Sequence, residues 1–510
     1  MSTLEWGRTW PSREEFVTFA GDRRVIPVVR RLLADDVTPV GLYRRLAAGR
    51  PGTFILESAE TDGAWNRWSF VGVSTRATLT ARDGQAAWTG EPPVSVPQSG
   101  PILDVLRGTL AALHTERFEG LPPLTGGLVG AMGWDLTREW EPTLPREAPD
   151  EQGLPDLALL LVADMVAVDH HDGSIWLIAN AINTNDTSGG VEEAYDDAVR
   201  RLDSLAARVG RPAEASVAVL DPAAHEPQVR YRSTQAEFEE SVRSAKRAIT
   251  EGEVFQVVFS QRLDLDCEAD PLDVYRALRT INPSPYMYLV HLAEPGGREF
   301  HVVGSSPETL VKVDSGRVTS FPIAGSRPRG ATPAEDQELG VELLADPKER
   351  SEHLMLVDLA RNDLGKVCRP GSVTVEEFMA IHRFSHIMHI TSTVSGRLRA
   401  DATALDAFTA AFPAGTLSGA PKPRAIELID SHEPARRGLY GGTVGYFDFA
   451  GEMDMAIAIR TAVIAGGVAT VQAGAGLVAD SDPHTEYVET RNKAAAVVHA
   501  IATAARIRPV

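Results

Sequence analysis

The chain runs to 510 residues, 43% hydrophobic and 24% charged, with a formal net charge of -20. Such a composition excludes disorder as the starting assumption, and the length calls for more than one folding unit. The acidic balance excludes broad binding to nucleic acid or anionic membranes, both of which want basic surfaces, and any site for an anion must therefore gather Arg, Lys, backbone amides or a metal locally.

The N-terminus, MSTLEWGRTWPSREEF, lacks an apolar signal stretch, and the greasiest run, 157–163, is broken by Asp164 and is far too short to cross a bilayer. The only two cysteines, Cys267 and Cys368, fit no metal-ligand spacing, so a soluble protein of the reducing cytoplasm is expected. β-rich runs at 52–58, 68–73, 157–168 and 174–182 predict strands, and helical periodicity at 102–115 and 191–209 predicts helices. Pro/Gly-rich stretches at 91–101, 142–155 and 184–190 read as loops. A stretch of little periodicity predicts a linker over 211–230, between an N-terminal region, 1–210, and a C-terminal region, 231–510. The latter opens with a clear helix: Thr234 and Glu237 form a capping box, Phe238, Val242, Ala245 and Ile249 repeat at helical spacing, and Gly252 stops it. A strand at 254–265 follows. Many short strands with scattered helices predict an α+β architecture of large antiparallel sheets.

Further on, two segments each carry glutamates three residues apart, Glu349 with Glu352 and Glu486 with Glu489. On a helix that spacing puts both carboxylates on one face, where they suit a hard cation. Either pair alone is also the ordinary pattern of a solvated helix face. Apolar residues beside them (Leu354, Leu356, Val357 and Leu359; Ala494, Val497 and Val498) predict that one side of each helix is buried.

Eleven blocks then follow one another in order: GEVFQVVFSQR (252–262), NPSPYMYLV (282–290), GSSPETLV (304–311), FPIAGSRPRG (321–330), EHLMLVDLARND (352–363), RFSHIMHITSTVSG (383–396), FPAGTLSGAPKPRAIELI (412–429), GGTVGYFDF (441–449), MDMAIAIRTAV (453–463), QAGAGLVADSDP (472–483) and EYVETRNKA (486–494). Together they resemble the chorismate-utilising enzyme family. The resemblance implies that family's α+β fold, of the type found in anthranilate- and aminodeoxychorismate-forming enzymes, with large antiparallel sheets packed as a sandwich and helices outside.

Two positions bear on the chemistry within the family. Isochorismate and salicylate synthases carry a lysine base where this chain has Gln256, and aminodeoxychorismate synthases carry a nucleophilic lysine where it has Ala324. An amide is no base near neutral pH and a methyl group attacks nothing, so the nucleophile must come from outside. The resemblance therefore implies a lyase that makes anthranilate from chorismate and ammonia, the alternatives being an enzyme that forms aminodeoxychorismate or stops at aminodeoxyisochorismate, or a non-catalytic tryptophan sensor. Mg²⁺ is expected on Glu352 and Glu489, with Glu349 and Glu486 direct or through water. Glu308 is the expected general acid and His389 the residue aiding loss of pyruvate. Arg460, Tyr440, Gly474, Gly476 and Lys493 are expected around the enolpyruvyl carboxylate, with Thr416, Gly325 and Ser326 on the ring side. Flanking apolar residues predict a buried, paired guanidinium for Arg460. His382, His386 and His389 crowd one segment but bring no third ligand for zinc.

Leu56, Glu57 and Ser58, with Arg67, resemble elements of the family's tryptophan feedback pocket, completed by Pro285, Tyr286, Met287, Val444 and Tyr446. Neither cysteine sits in a nucleophile turn, so ammonia is expected from a separate glutamine amidotransferase subunit. A heterotetramer of two large and two small subunits is what the resemblance implies.

Overall fold

A computed structural model gives the architecture and describes residues 5–47, 49–59, 67–211, 217–220, 227–383 and 387–510. Its centre is a pair of long antiparallel strands, Trp68–Arg82 and Leu157–Asp169. Their register slips three times between Gly72 and Ala77, and such bulges bend a strand enough to pass from one layer to another. Two ladders leave this pair. One runs from Trp68–Arg82 through Thr53–Glu57, Tyr286–Ala293, Glu299–Ser306, Thr461–Ala465 and Val468–Leu477 to Gln256–Asp266. The other runs from Leu157–Asp169 through Gly127–Met132, Thr443–Asp448, Met453–Ile457, Thr309–Asp314 and Arg317–Ser320 to Ile387–Arg397. Phe54, Val290, Val302 and Val463 of the first meet Val129, Val444 and Ala456 of the second in one buried cluster, so the ladders are the two layers of a sandwich. This is the expected α+β fold.

Each ladder starts with N-terminal strands and continues into C-terminal ones, crossing at Thr53–Glu57 with Tyr286–Ala293 and at Gly127–Met132 with Thr443–Asp448. The expected linker is described only in part. There, Ala218–Val219 pairs with Arg508–Pro509, and Arg230–Tyr231 pairs with Gln256–Asp266. Helices cover the outside. Val191–Val209 lies on Val25–Leu33 and Ser174–Ile182, and Pro271–Ile281 packs with Pro483–Ala504. The capping box at Thr234 and Glu237 starts helix Gln235–Thr250 as expected, its apolar face burying Phe238, Val242 and Ala245. Strand Trp68–Arg82 runs nine residues past its expected end at Val73, because the slips break the alternation that the expectation relied on. No helix among the described residues is long and apolar enough to cross a membrane.

The two glutamate-bearing helices, Pro347–Gly365 and Pro483–Ala504, begin alike. Asp346 caps the first by accepting from the backbone N–H of Lys348 and Glu349, Asp482 caps the second by accepting from Thr485, and proline follows each cap. Both glutamate pairs therefore lie in the first turns of their helices, the positive end of the dipole. The expected burial holds for Leu356, Val357, Ala494 and Val497, whereas Leu354 faces solvent.

Candidate active site

Glu308 sits in the turn between strands Glu299–Ser306 and Thr309–Asp314. Its carbonyl oxygen accepts from Ile457 N at 2.9 Å, which fixes the turn against the neighbouring strand. Thr416, in the short helix Gly415–Ser418, donates its hydroxyl to Glu308 Oε1 at 2.8 Å. Burial pushes the Glu308 carboxyl up to about 7, against the opposing pull of Thr416 and Lys493. At neutral pH a large fraction of the molecules carries a proton there. Thr416, expected on the ring side of the substrate, is bonded here to the expected acid.

His389 lies in strand Ile387–Arg397 opposite Ser326, which is exposed. The strand carrying Ser326 has a bulge between Ala324 and Ser326 whose extra residue, Gly325, is left-handed at φ 71°. A Cβ on Gly325 would stand 2.9 Å from Glu349 Oε2, so the glycine is what lets the carboxylate approach. The Gly325 carbonyl also accepts a hydrogen bond from His389 Nδ1 at 2.9 Å, which puts the lone pair of the neutral ring on Nε2. Burial, with lesser pushes from Arg460 and Lys493, holds the imidazole below its ordinary value, so it is neutral at pH 7 and available as a base. His382 pairs across the ladder from His389 and reaches Glu377 at 3.4 Å, and His386 lies outside the described residues.

Arg460 departs from its expected setting. It sits between strands Met453–Ile457 and Thr461–Ala465, left-handed at φ 52°, its carbonyl oxygen accepting from Ser305 N at 3.1 Å. Nη1 reaches Asn282 Oδ1 at 3.4 Å, and no carboxylate pairs with the guanidinium among the described residues. The partner expected for it is a substrate carboxylate, and a half-buried charge facing only a neutral amide is suited to an anion. Tyr440 and Gly474 meet: a Cβ on Gly474 would stand 2.7 Å from the Tyr440 hydroxyl and 2.9 Å from Phe259 O. At Gly476 a Cβ would stand 2.5 Å from Gln256 Nε2. Lys493 donates to Gly474 O at 3.0 Å and pairs with Glu489 at 2.7 Å.

The four glutamates form two pairs. Glu352 is raised by burial and by Glu349, and Glu486 by burial and by Glu489. Lys348 of the first helix acts on Glu486 of the second and Lys493 of the second on Glu352 of the first, so the N-terminal turns of the two helices lie near one another. Gln256 Nε2 reaches Glu352 at 3.4 Å, and Arg327 reaches Glu349 at 3.5 Å. No three His, Cys, Asp or Glu side chains among the described residues converge as a complete metal cage. Mg²⁺ does not need one, since it commonly takes one or two carboxylates and fills its shell with water and substrate oxygens. Carboxylates raised by burial and by like-charged neighbours, near the positive ends of two helices, are a donor set that suits it.

Residues 52–499 match the family described as chorismate binding enzyme. Anthranilate synthase component 1 of Mycolicibacterium smegmatis is 57% identical over 97% of this chain and 94% of its own length, and that of Arthrobacter globiformis is 56% identical over 97% and 93%. The crystal structure of anthranilate synthase component I from Streptococcus pneumoniae superimposes with a TM-score of 0.75 at 33% identity, covering 91% of this chain and 98% of that one. The chain belongs to the anthranilate synthase component 1 family of chorismate-binding enzymes.

The residues expected to bind an inhibitor in this family member are placed as follows. Leu56, Tyr286, Val444 and Tyr446 pack in one cluster between the layers, whereas Met287, alternating with Tyr286, faces the opposite core. Glu57 stands opposite Met287 in the ladder, is buried, accepts from the Tyr275 hydroxyl and pairs with Arg279 at 3.3 Å. Arg67 forms a two-pronged pair with Asp169, at 3.0 and 2.8 Å. Pro285 is half-buried before Tyr286, whose hydroxyl donates to Asp454 at 2.8 Å; Ser58 follows Glu57 at the end of its strand. Asn282 beside Arg460, and Arg437 with Glu433 behind Tyr440, were not anticipated. The signal for the latter was present in EPARRGLYGG, whose two arginines follow a helix end.

Proposed function

We propose that the chain converts chorismate and ammonia to anthranilate, pyruvate and water, as a Mg²⁺-dependent lyase of tryptophan biosynthesis. The observation that carries the reading is Glu308: a buried carboxyl raised to about 7 and held by Thr416. It stands in a site where the family's two lysine positions are occupied by Gln256 and Ala324.

Chorismate brings two carboxylates. Arg460 takes the enolpyruvyl one, with Tyr440 and the close backbone at Gly474 and Gly476 shaping its wall. Glu352 and Glu489, with Glu349 and Glu486 beside them, would hold Mg²⁺, which when bound withdraws charge from the ring carboxylate and pins the ring. In the first step, Glu308 gives its proton to the C4 hydroxyl, which departs as water while ammonia bonds to C2 and the double bonds shift. The nitrogen sheds its extra proton, and Glu308 is reprotonated for the next turnover. In the second step, His389 Nε2 removes the proton from C2, the ring becomes aromatic, and the C3–O bond breaks to release enolpyruvate, which takes up a proton to become pyruvate. Ammonia comes from a glutamine amidotransferase subunit, in an assembly of two large and two small subunits. Tryptophan inhibits through Leu56–Ser58, Arg67, Pro285–Met287, Val444 and Tyr446; holding its ammonium requires Glu57 to loosen from Arg279.

Incubation with chorismate, Mg²⁺ and ammonium tests the reading. Fluorescent anthranilate and pyruvate are expected in equal amounts, and tryptophan should slow their appearance. A product that keeps its enolpyruvyl group removes the elimination step, and indifference to tryptophan removes the regulatory part. The metal has its own test. E352Q is expected to need about tenfold more Mg²⁺ than the unaltered protein, by calorimetric titration and by half-maximal activity alike. Equal Mg²⁺ affinity would place the ion elsewhere.

A further inference from the structure

We infer that Arg437, clamped by Glu433, is a positioning residue for the acid step: it fixes the loop that holds Thr416 against Glu308 and, on the other side, the ring of Tyr440. The inference rests on the reading of Glu308 as general acid.

Arg437 lies between helix Lys422–His432 and strand Thr443–Asp448 and is 2% exposed. Nε and Nη2 donate to the two oxygens of Glu433, at 2.9 and 2.7 Å. The remaining reach is to backbone: Nη1 donates to Leu417 O and Nη2 to Val258 O, each at 2.7 Å. The guanidinium carbon stands 4.3 Å from the ring centre of Trp134 and 5.4 Å from that of Tyr440. Glu433 is held in turn by the N–H and hydroxyl of Ser260, at 2.9 and 2.7 Å, and Ser260 Oγ accepts from Gln472 at 2.7 Å. Four of the fork's five N–H donors are used.

Two of these contacts bear on the site. Leu417 is covalently next to Thr416, so the bond to its carbonyl sets where the Thr416 hydroxyl points. Tyr440 is gripped twice, by its ring and through its own N–H to Arg437 O at 3.2 Å. A buried ion pair recovers in attraction roughly what it loses in hydration, and a well-packed apolar pair would fill the space as stably. What an apolar pair cannot do is hold the carbonyls of Leu417 and Val258. The charged pair therefore fits a role in precision better than one in bulk stability.

The titratable groups acting on Glu308 are Lys493, from the C-terminal helix, and Tyr440. A donor to a carboxylate favours its charged form, so releasing Thr416 moves Glu308 upward and carries the alkaline fall of kcat to higher pH. The experiment measures kcat against pH at constant free ammonia for R437K, T416V and the double variant. R437K and T416V should each shift the alkaline limb upward, and the double variant no further. Turnover in R437K should fall about tenfold, with a smaller change in KM for chorismate. Methylguanidinium added to R437A should bring the limb back. A limb unmoved in R437K while T416V moves it, or shifts that add in the double variant, overturns the inference. A limb unmoved in both T416V and E308Q would instead sink the reading of Glu308 itself. Should R437K not fold, E433Q, isosteric and neutral, loosens the same guanidinium and is read by the same limb.

Discussion

Glu308→Gln is expected to lower turnover by about 1,000-fold, the scale on which a positioned general acid acts. The amide keeps the shape of the carboxyl and still accepts from Thr416, so chorismate should bind with little change. The sign with pH is fixed by burial. An acid must be protonated to work, so the unaltered enzyme should lose kcat as pH rises through about 7, and the residual rate of E308Q should lack that fall. Stability should follow the same sign with pH. The folded chain keeps this proton to about pH 7, whereas the unfolded chain releases it near the ordinary value of 4.5, so the unaltered protein loses stability as pH rises across that window. E308Q has nothing to ionise there and should melt above the unaltered protein at pH 8. Kinetics and calorimetry on the same preparation check both halves, and an E308Q protein that turns over at an undiminished rate would remove the residue from the mechanism.

Arg460→Gly is expected to cost about 100-fold in kcat/KM, mostly through KM, by deleting a two-pronged partner for a carboxylate. The fold should not suffer. Arg460 is left-handed at φ 52°, a conformation that costs an L-residue about 1 kcal/mol and glycine almost nothing. The greater freedom of glycine in the unfolded chain roughly offsets that gain. Melting within a few degrees of the unaltered protein, together with a steep rise in KM, is the expected pair of results. A fall in kcat at unchanged KM would mean that the guanidinium acts on the reaction and not on binding.

These two residues also mark what the sequence could and could not reveal. Features set locally were legible. The capping box at Thr234 and Glu237, the spacing of Phe238, Val242 and Ala245, and the glutamates three apart after Asp-Pro starts all depend on neighbours within a turn or two. Features set by contacts distant in sequence were not. Arg460 in its strand-like IAIRTAV setting gives no hint of a left-handed turn, because that conformation is held by a bond from Ser305. Glu57 meets Tyr275 and Arg279 across more than two hundred residues, so its ion pair has no local signature. The same holds for the carbonyls of Leu417 and Val258, which give Arg437 its place. Resemblance supplied the roles of Glu308 and His389. Burial supplies the physical means by which one keeps its proton and the other stays neutral, while the bonds from Thr416 and to Gly325 act against those shifts and fix where each group points.

Because each ladder passes from front-half strands into back-half strands, neither half owns a finished layer. Cut apart, each would present open hydrogen-bonding edges and a bared apolar face to water. The front half is thus no detachable accessory that could be traded for another between relatives. It is wall and floor of the same room, and a change in how Thr53–Glu57 lies against Tyr286–Ala293 is passed directly to the strand that ends at Ser305 and Ser306, beside both Arg460 and Glu308.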